Sequence, residues 1–365
     1  MSEAIMLVGG KGTRLRPLTV NTPKPMLEVA GVPFLSHMLS RAKAAGITRI
    51  VFATAYKPEV FEEYYGDGSR FGLEMEYVQE VEPLDTGGAI RNVADRLRSG
   101  PDEPVMIFNS DILSGMDLGA LLAQHAARAA DVTLHLTKVS DPRAFGLVPT
   151  DQDGWVTAFR EKPQRPEDIV TDQINAGCYV FRREIIDGIP AGRRVSVERE
   201  TFPGLLAAGA KVLGVVEQSY WLDLGTPAAF VRGSADLVLG AISSPAVPAS
   251  TCPSHPEALV LEAAEVAESA KLGGGTTVGR GARVAEQAAV YGTVLGAGSS
   301  IGEGAVLRDS IVGRGARVGA GTVLEGAVVG DGASVGAGNE LLAGVRVSCD
   351  AVIPDSAVRF SHDPS

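Results

Sequence analysis

From Val278 onward the sequence repeats every 17 residues. Lines begun at Val278, Leu295, Val312 and Val329 read VGRGARVAEQAAVYGTV, LGAGSSIGEGAVLRDSI, VGRGARVGAGTVLEGAV and VGDGASVGAGNELLAGV. They align apolar residues at the first, seventh, thirteenth and last positions. Spacings of six, six and five describe a coil with three short faces, each turning one aliphatic side chain inward while glycine and small residues make the corners. That is the signature of a left-handed parallel β-helix of hexapeptide-type repeats. Twenty of the 44 glycines lie between Gly273 and Gly344, and Tyr291 is the only aromatic residue from Glu257 to Arg359, as suits a prism too slim for rings. One coil cannot bury its inner face alone, so stacked neighbours supply the core. Val266 and Leu272 read as the start of an earlier, imperfect coil.

The first two thirds are built differently. Apolar runs at Ala4 to Val8, Ile50 to Ala53, Val105 to Asn109 and Val132 to Leu136 read as strands. Amphipathic stretches at Pro33 to Ala45, Ala89 to Arg98 and Leu118 to Ala130 read as helices between them, with another at Pro227 to Gly240. This alternation predicts an α/β domain with a Rossmann-like, mainly parallel sheet and helices on both faces, ligands gathering at the carboxyl ends of the strands. The proline- and serine-rich stretch ISSPAVPASTCPSHPEA has no apolar period and reads as a linker. The expected organisation is a domain at 1–240, a linker at 241–258 and the β-helix domain at 259–365.

Charge and cysteine usage narrow the partners. A net charge of -11 repels polyanions, so neither a nucleic acid nor an anionic membrane is expected as a partner. Cys178, Cys252 and Cys349 are odd in number and without CxxC spacing, which fits reduced thiols in a cytoplasm. The N-terminus lacks a basic leader and no apolar run approaches a membrane span.

The strongest local signal is GGKGTRLRPLT, Gly9 to Thr19, directly after the first strand. Its glycines let backbone N–H groups close on a phosphate chain, and Arg14 adds a planar charged fork. It has neither the GKS or GKT ending of a Walker loop nor the third glycine of a dinucleotide fingerprint. Lys24 follows in TPKPM, where prolines stiffen the backbone around a compact charge. Asp111 ends the strand-like VMIFNSD and Asp223 lies in YWLDLGTP. Carboxylates at strand ends suit Mg²⁺, which takes few protein oxygens and fills its shell with water and substrate phosphate. A third cluster comprises Gly146 in AFGLV, Glu161 and Lys162 in REKP, and Asn175 and Gly177 in INAG. Its carboxylate and amide suit sugar hydroxyls and its lysine suits a phosphate.

These motifs, in this order and followed by a β-helix, resemble the sugar-1-phosphate nucleotidylyltransferases, most closely the mannose-1-phosphate guanylyltransferases of bacteria. The resemblance runs from about Ala4 to the last coil. It implies that Leu7, Gly9, Gly10, Gly12, Thr13 and Arg14 bind the nucleotide, with Lys24 near its α-phosphate. Asp111 and Asp223 would hold Mg²⁺, and Gly146, Glu161, Lys162, Asn175 and Gly177 would bind the sugar phosphate. The loop VEPLDTGGA, with Glu80 just before it and Asp85, Thr86 and Gly87 within it, resembles the one that reads the base. Asp85 stands where relatives carry glycine. Glu80 or Asp85 could accept from the N1–H and amino group of guanine, which uracil and thymine lack.

The implied reaction is attack of a sugar-1-phosphate oxygen on the α-phosphorus of a nucleoside triphosphate, GTP being favoured, with release of pyrophosphate. A phosphate monoester is already largely ionised at neutral pH, so no general base is required. The five histidines are accordingly read as structural or incidental. The coils carry no histidine from Pro256 to Ser361, unlike β-helix acyltransferases, and are assigned to assembly or regulation, with a homo-oligomer expected. The rival readings are transfer of another nucleotide onto glucose 1-phosphate and a non-catalytic regulatory subunit that binds sugar nucleotides.

Overall fold

A computed structural model describes residues 2–160, 162–163, 165–342 and 344–359. The protein forms two compact units, one of Met1–Gly10 with Met38–Trp221, the other of Lys11–His37 with Leu222–Ser365.

The first unit is built on a seven-stranded sheet. Its strands are β1 (Ser2–Leu7), β2 (Ile47–Thr54), β3 (Glu74–Gln79), β4 (Pro104–Asn109), β5 (Val132–Lys138), β6 (Gln173–Arg182) and β7 (Val212–Val216). They lie in the order β7-β5-β6-β4-β1-β2-β3. All neighbours run parallel except β6, which is antiparallel to both β4 and β5. Strand residues of both parities are buried, as when helices cover both faces: Ile5, Val51 and Ile107 join one core, while Ala4, Ile50 and Met106 are equally enclosed on the other side. The expected helices form at Phe34–Ala44, Leu118–Ala127 and Pro227–Val238.

The expected helix at Ala89 to Arg98 is displaced. It runs from Asp85 to Asn92, followed by a 3-10 turn at Ala94–Arg96. Gly87 and Gly88, in the segment read as a loop, lie inside this helix and are used for close packing. The N–H groups of Gly87 and Gly88 donate to Val195 O at 2.7 and 3.1 Å, and a Cβ on Gly87 would lie 2.9 Å from Val195 Cγ1.

The coils of the second unit form three parallel sheets, consistent with the expected left-handed β-helix. Val278, Leu295, Val312 and Val329 line one face inside, Val284, Ile301, Val318 and Val335 the second, and Val290, Leu307, Leu324 and Leu341 the third, all essentially buried. Each such side chain contributes roughly 1.5–3 kcal/mol when stacking removes it from water. Val266 and Leu272 do belong to an earlier coil, paired with Val284 and Val290. One corner carries a hydroxyl ladder: Thr293 N donates to Thr276 Oγ1, Ser310 N to Thr293 Oγ1, and Ala327 N to Ser310 Oγ. The N–H groups of Thr293, Ser310 and Ala327 at this corner thereby gain acceptors.

The fourth apolar column lies outside the core cluster of the prism. Val294, Ile311 and Val328 precede the inward residues of the first face and point outward, yet they are 6%, 3% and 1% exposed. The repeat then slips by one residue, because Val329 pairs with Val347, so Arg346 and not Val345 stands opposite Val328. An aliphatic column thus ends in a guanidinium.

His135 on β5 is 1% exposed and neither ring nitrogen is hydrogen-bonded among the described residues; Glu217 Oε2, at 3.9 Å, is too distant. Burial pushes its pKa from 6.5 down to about 4. The unfolded chain protonates near 6.5 while the native one resists, so acid favours unfolding across that interval. His135→Leu is expected to raise thermal stability at pH 7 and to flatten its decline between pH 6.5 and 5, as read by calorimetry.

Candidate active site

The glycine-rich loop leaves the end of β1 and continues into the second unit, where residues 11–27 contain no α-helix or strand. Short 3-10 turns at Thr13–Leu15, Leu18–Val20 and Lys24–Met26 are pinned by the buried Leu15, Leu18 and Met26. Gly12 has φ 58, and a Cβ there would lie 2.9 Å from Lys24 Cβ, so the loop closes tightly on the lysine. Thr19 Oγ1 donates to Gly12 O at 2.9 Å and fixes that closure.

Within the same unit, Asp223 stands between two cations. Its Oδ2 is 3.6 Å from Arg14 Nη2 and its Oδ1 is 3.5 Å from Lys24 Nζ. The three side chains differ in exposure: Arg14 is 63% exposed, Asp223 22% and Lys24 10%. Asp223 Oδ1 is buried and accepts no hydrogen bond among the described residues. Gly225 completes the arrangement, since a Cβ on it would lie 2.4 Å from Arg14 Nη2 and 2.9 Å from Asp223 Oδ1. Three of the four residues expected to do chemistry therefore converge.

The fourth, Asp111, lies in the first unit, two residues beyond the carboxyl end of β4 and half-buried. There Leu7 and Asn109 pair across β1 and β4. Glu80 follows β3 at the same edge and is 8% exposed. Its Oε2 accepts from Leu84 N at 3.0 Å, and a Cβ on Gly9 would lie 3.8 Å from its Oε1. Burial first, then the charge of Asp85, raises the Glu80 pKa, against the opposing Leu84 N–H.

Asp85 has φ 62, which accounts for its standing at a glycine position, and its Oδ1 accepts from Thr86 N. Its carboxylate is exposed. The Thr86 hydroxyl is engaged internally, accepting from Val197 N and donating to Glu198 Oε2. Gly87 is buried against Val195, so its lack of a side chain serves packing.

The third cluster gathers around an irregularity in β6. Leu134 pairs with Tyr179 but Leu136 with Asn175, and the bulge carries Gly177 at φ 79. Asn175 N donates to Gly146 O at 3.1 Å, its Nδ2 to Tyr179 Oη at 2.8 Å, and its Oδ1 accepts from Gly177 N. Among the described residues, one amide N–H and one lone pair of the Asn175 side chain have no partner. Because β6 runs antiparallel, its N-terminal end lies at the carboxyl edge of the parallel strands, where Gln173 pairs with Lys138. Lys162 is exposed at φ 27. Glu161 lies outside the described residues.

The arrangement suits phosphate chemistry. Two cations attract phosphate oxygens, and a buried carboxylate oxygen without a hydrogen-bond donor is the donor type that a hard divalent cation takes. Among the described residues there is no group of three or more acids, histidines or cysteines that could hold a metal by itself. A hard divalent ion held by one or two carboxylates completes its shell with water and phosphate.

A nucleotidyl transferase profile matches residues 3–238. The chain belongs to the nucleotidyl transferase family. A second profile, the GMPPB C-terminal domain, matches residues 254–362. This nucleotidyl transferase is 56% identical over 362 residues to a mannose-1-phosphate guanylyltransferase of Mycobacterium tuberculosis, covering 99% of this chain and 98% of that one. It is 36% identical to a mannose-1-phosphate guanyltransferase of Gibberella zeae, over 70% of this chain and 69% of the other. Among solved structures, HddC from Yersinia pseudotuberculosis complexed with GMP-PN aligns with a TM-score of 0.54 and 25% identity, over 64% of this chain and 98% of that chain.

Three participants have no signature in the sequence. Asn109 and Tyr179 lie against Gly177 and Asn175, and Arg346, far along the chain, donates to the carbonyls of Arg14 and Arg16. Tyr and Asn in strands read as ordinary core and edge residues, and only the αL glycine of INAG marks the bulge.

Gly225→Ala is expected to push the Arg14 guanidinium from Asp223, since the clashing atom is the free end of a flexible side chain. The nucleotidyl transferase should keep its melting temperature within a few degrees and lose about tenfold or more in kcat/KM. Steady-state kinetics with calorimetry reads both.

Proposed function

We propose that this nucleotidyl transferase makes GDP-mannose and pyrophosphate from GTP and mannose 1-phosphate. The observation that carries this reading is the 56% identity to the Mycobacterium tuberculosis guanylyltransferase, extending over nearly the whole of both chains. It is supported by the convergence of Arg14, Lys24 and Asp223 in one unit, which a purely regulatory subunit would not need.

The sugar phosphate is already largely ionised at neutral pH, so the work of the site is to bring two anions together and offset their charge. Arg14 and Lys24 are assigned to the polyphosphate, Lys24 toward the α-phosphate. Gly9, Gly10, Gly12 and Thr13 supply backbone groups around it. Asn175, Gly146 and Lys162 are assigned to the sugar phosphate. Enzymes of this family generally use a divalent metal. Here it is proposed to be Mg²⁺, with Asp223 and Asp111 as its protein ligands; once bound it neutralises phosphate charge and favours departure of pyrophosphate. Base choice is assigned to Glu80, buried beside Gly9, with Asp85 exposed nearby in sequence. The enzyme is proposed to work in the cytoplasm, in keeping with its three free cysteines. Assembly into a homo-oligomer remains a proposal that light scattering decides.

A pyrophosphate-release matrix of nucleoside triphosphates against sugar 1-phosphates, with magnesium present, is expected to peak at GTP with mannose 1-phosphate. A peak at a glucose 1-phosphate entry with another base would replace this reading. Asp111→Asn and Asp223→Asn are each expected to cut kcat by about 100-fold or more with the fold intact. Near-normal rates in both would remove the metal assignment. Because Glu80 titrates above the ordinary carboxylate range, KM for GTP should rise on acidification, and Glu80→Gln should abolish that pH dependence. In Asp85→Gly, an unchanged preference for GTP over UTP and dTTP would free Asp85 of any role in reading the base.

A further inference from the structure

In the second unit, the segment Lys11–His37 is fastened along its length by residues far away in sequence. Ala30 N donates to Ser234 Oγ, Arg314 Nη2 donates to Thr22 Oγ1 at 2.8 Å, and Cys349 Sγ approaches Pro17 O at 3.6 Å. The innermost fastening is Arg346. Its Nη1 donates to Arg14 O at 2.8 Å and to Arg16 O at 3.0 Å. Arg346 occupies the outward position of its coil, opposite Val328, while its neighbour Val347 is 5% exposed inside the prism. The slip of one residue in the last coil is what puts a guanidinium there.

We propose that Arg346 is a positioning residue for the phosphate loop: by clamping the carbonyls on either side of Leu15, it sets the backbone from which Arg14 reaches Asp223. The β-helix is then part of the nucleotide-binding apparatus and not only a platform for assembly. A guanidinium bridging two carbonyls is well suited to this. It presents several donors in a rigid plane, whereas an ammonium is a point charge on a flexible stem. The inference rests on the assignment of Arg14 to the polyphosphate.

The test compares Arg346→Ala and Arg346→Lys in the full chain, with Arg283→Ala as a control on another coil face, where Arg283 pairs with Glu265. Amide hydrogen exchange without substrate reports on Leu15 and Arg16, whose N–H groups donate to Gly12 O and Thr13 O. Arg346→Ala is expected to speed exchange at these amides by about tenfold and to raise KM for GTP by about tenfold, the scale of losing one charge-assisted clamp. KM for mannose 1-phosphate should stay within about twofold, Arg346→Lys should recover part of the loss, and Arg283→Ala should change nothing. Wild-type exchange at Leu15 and Arg16 with an unchanged KM for GTP would overturn the proposal. So would faster exchange spread over all the coils, with both substrates' KM values raised alike and no recovery by lysine. If the wild-type chain transferred no nucleotide with any substrate pair, the proposed function would fall, and the exchange measurement would still decide whether Arg346 holds the loop.

Discussion

A loop without regular secondary structure can hold two cations at fixed places only if its own polar groups are tied down from outside. Helices and strands satisfy their carbonyls internally, but the segment of residues 11–27 has only 3-10 turns of three residues. Its order comes from side chains reaching in, such as the Thr19 hydroxyl on Gly12 O and the Arg346 guanidinium on the carbonyls of Arg14 and Arg16. The buried Leu15 and Leu18 supply the apolar anchor between them. The positions of Arg14 and Lys24 relative to Asp223 follow from these ties.

The first unit meets the same need by different means. Parallel strands deliver their carboxyl ends to one edge, where Leu7, Glu80 and Asn109 stand on rigid elements. The antiparallel β6 brings its opposite end to that edge, and the bulge at Gly177 turns Asn175 away from simple alternation. Glu80 pays for its position with desolvation, visible as a raised pKa that one backbone N–H only partly offsets. Such a cost is tolerated where a ligand's donors can repay it.

Whatever had a period could be read directly from the sequence. The strands at Ala4, Ile50, Val105 and Val132 and the inward columns of the coils appear where alternation and the 17-residue repeat put them. Features that depend on contact between distant residues were not legible. The membership of Lys11–His37 in the coil unit arises from partners such as Ser234 and Arg314, which have no local signature. The start of the helix at Asp85 was hidden because glycines are poor helix formers, and only the packing of Val195 against Gly87 and Gly88 explains them there. The one-residue slip near the last coil hides in a stretch where the glycine spacing continues and only strand pairing reveals Arg346 in the column. Of the candidate site, residue types and motifs were visible, but which side chain each would face was not.

The spacing around Asp223 also bears on how a chain of net charge -11 can receive two anionic substrates. Ion pairs at 3.5 and 3.6 Å are longer than the 2.7–2.9 Å typical of charge-assisted hydrogen bonds. Asp223 therefore spans Arg14 and Lys24 with two long ion pairs, one to each carboxylate oxygen. A phosphate proposed to enter such a site would meet two cations whose pairs to Asp223 are long, and the proposed divalent ion would find in Asp223 Oδ1 an oxygen that accepts no hydrogen bond among the described residues. Gly225 preserves this looseness by leaving the guanidinium room beside the carboxylate, where any side chain would force a choice between the two. In the proposed mechanism the same carboxylate would organise the two cations before substrate binds and would then serve as a ligand of the divalent ion.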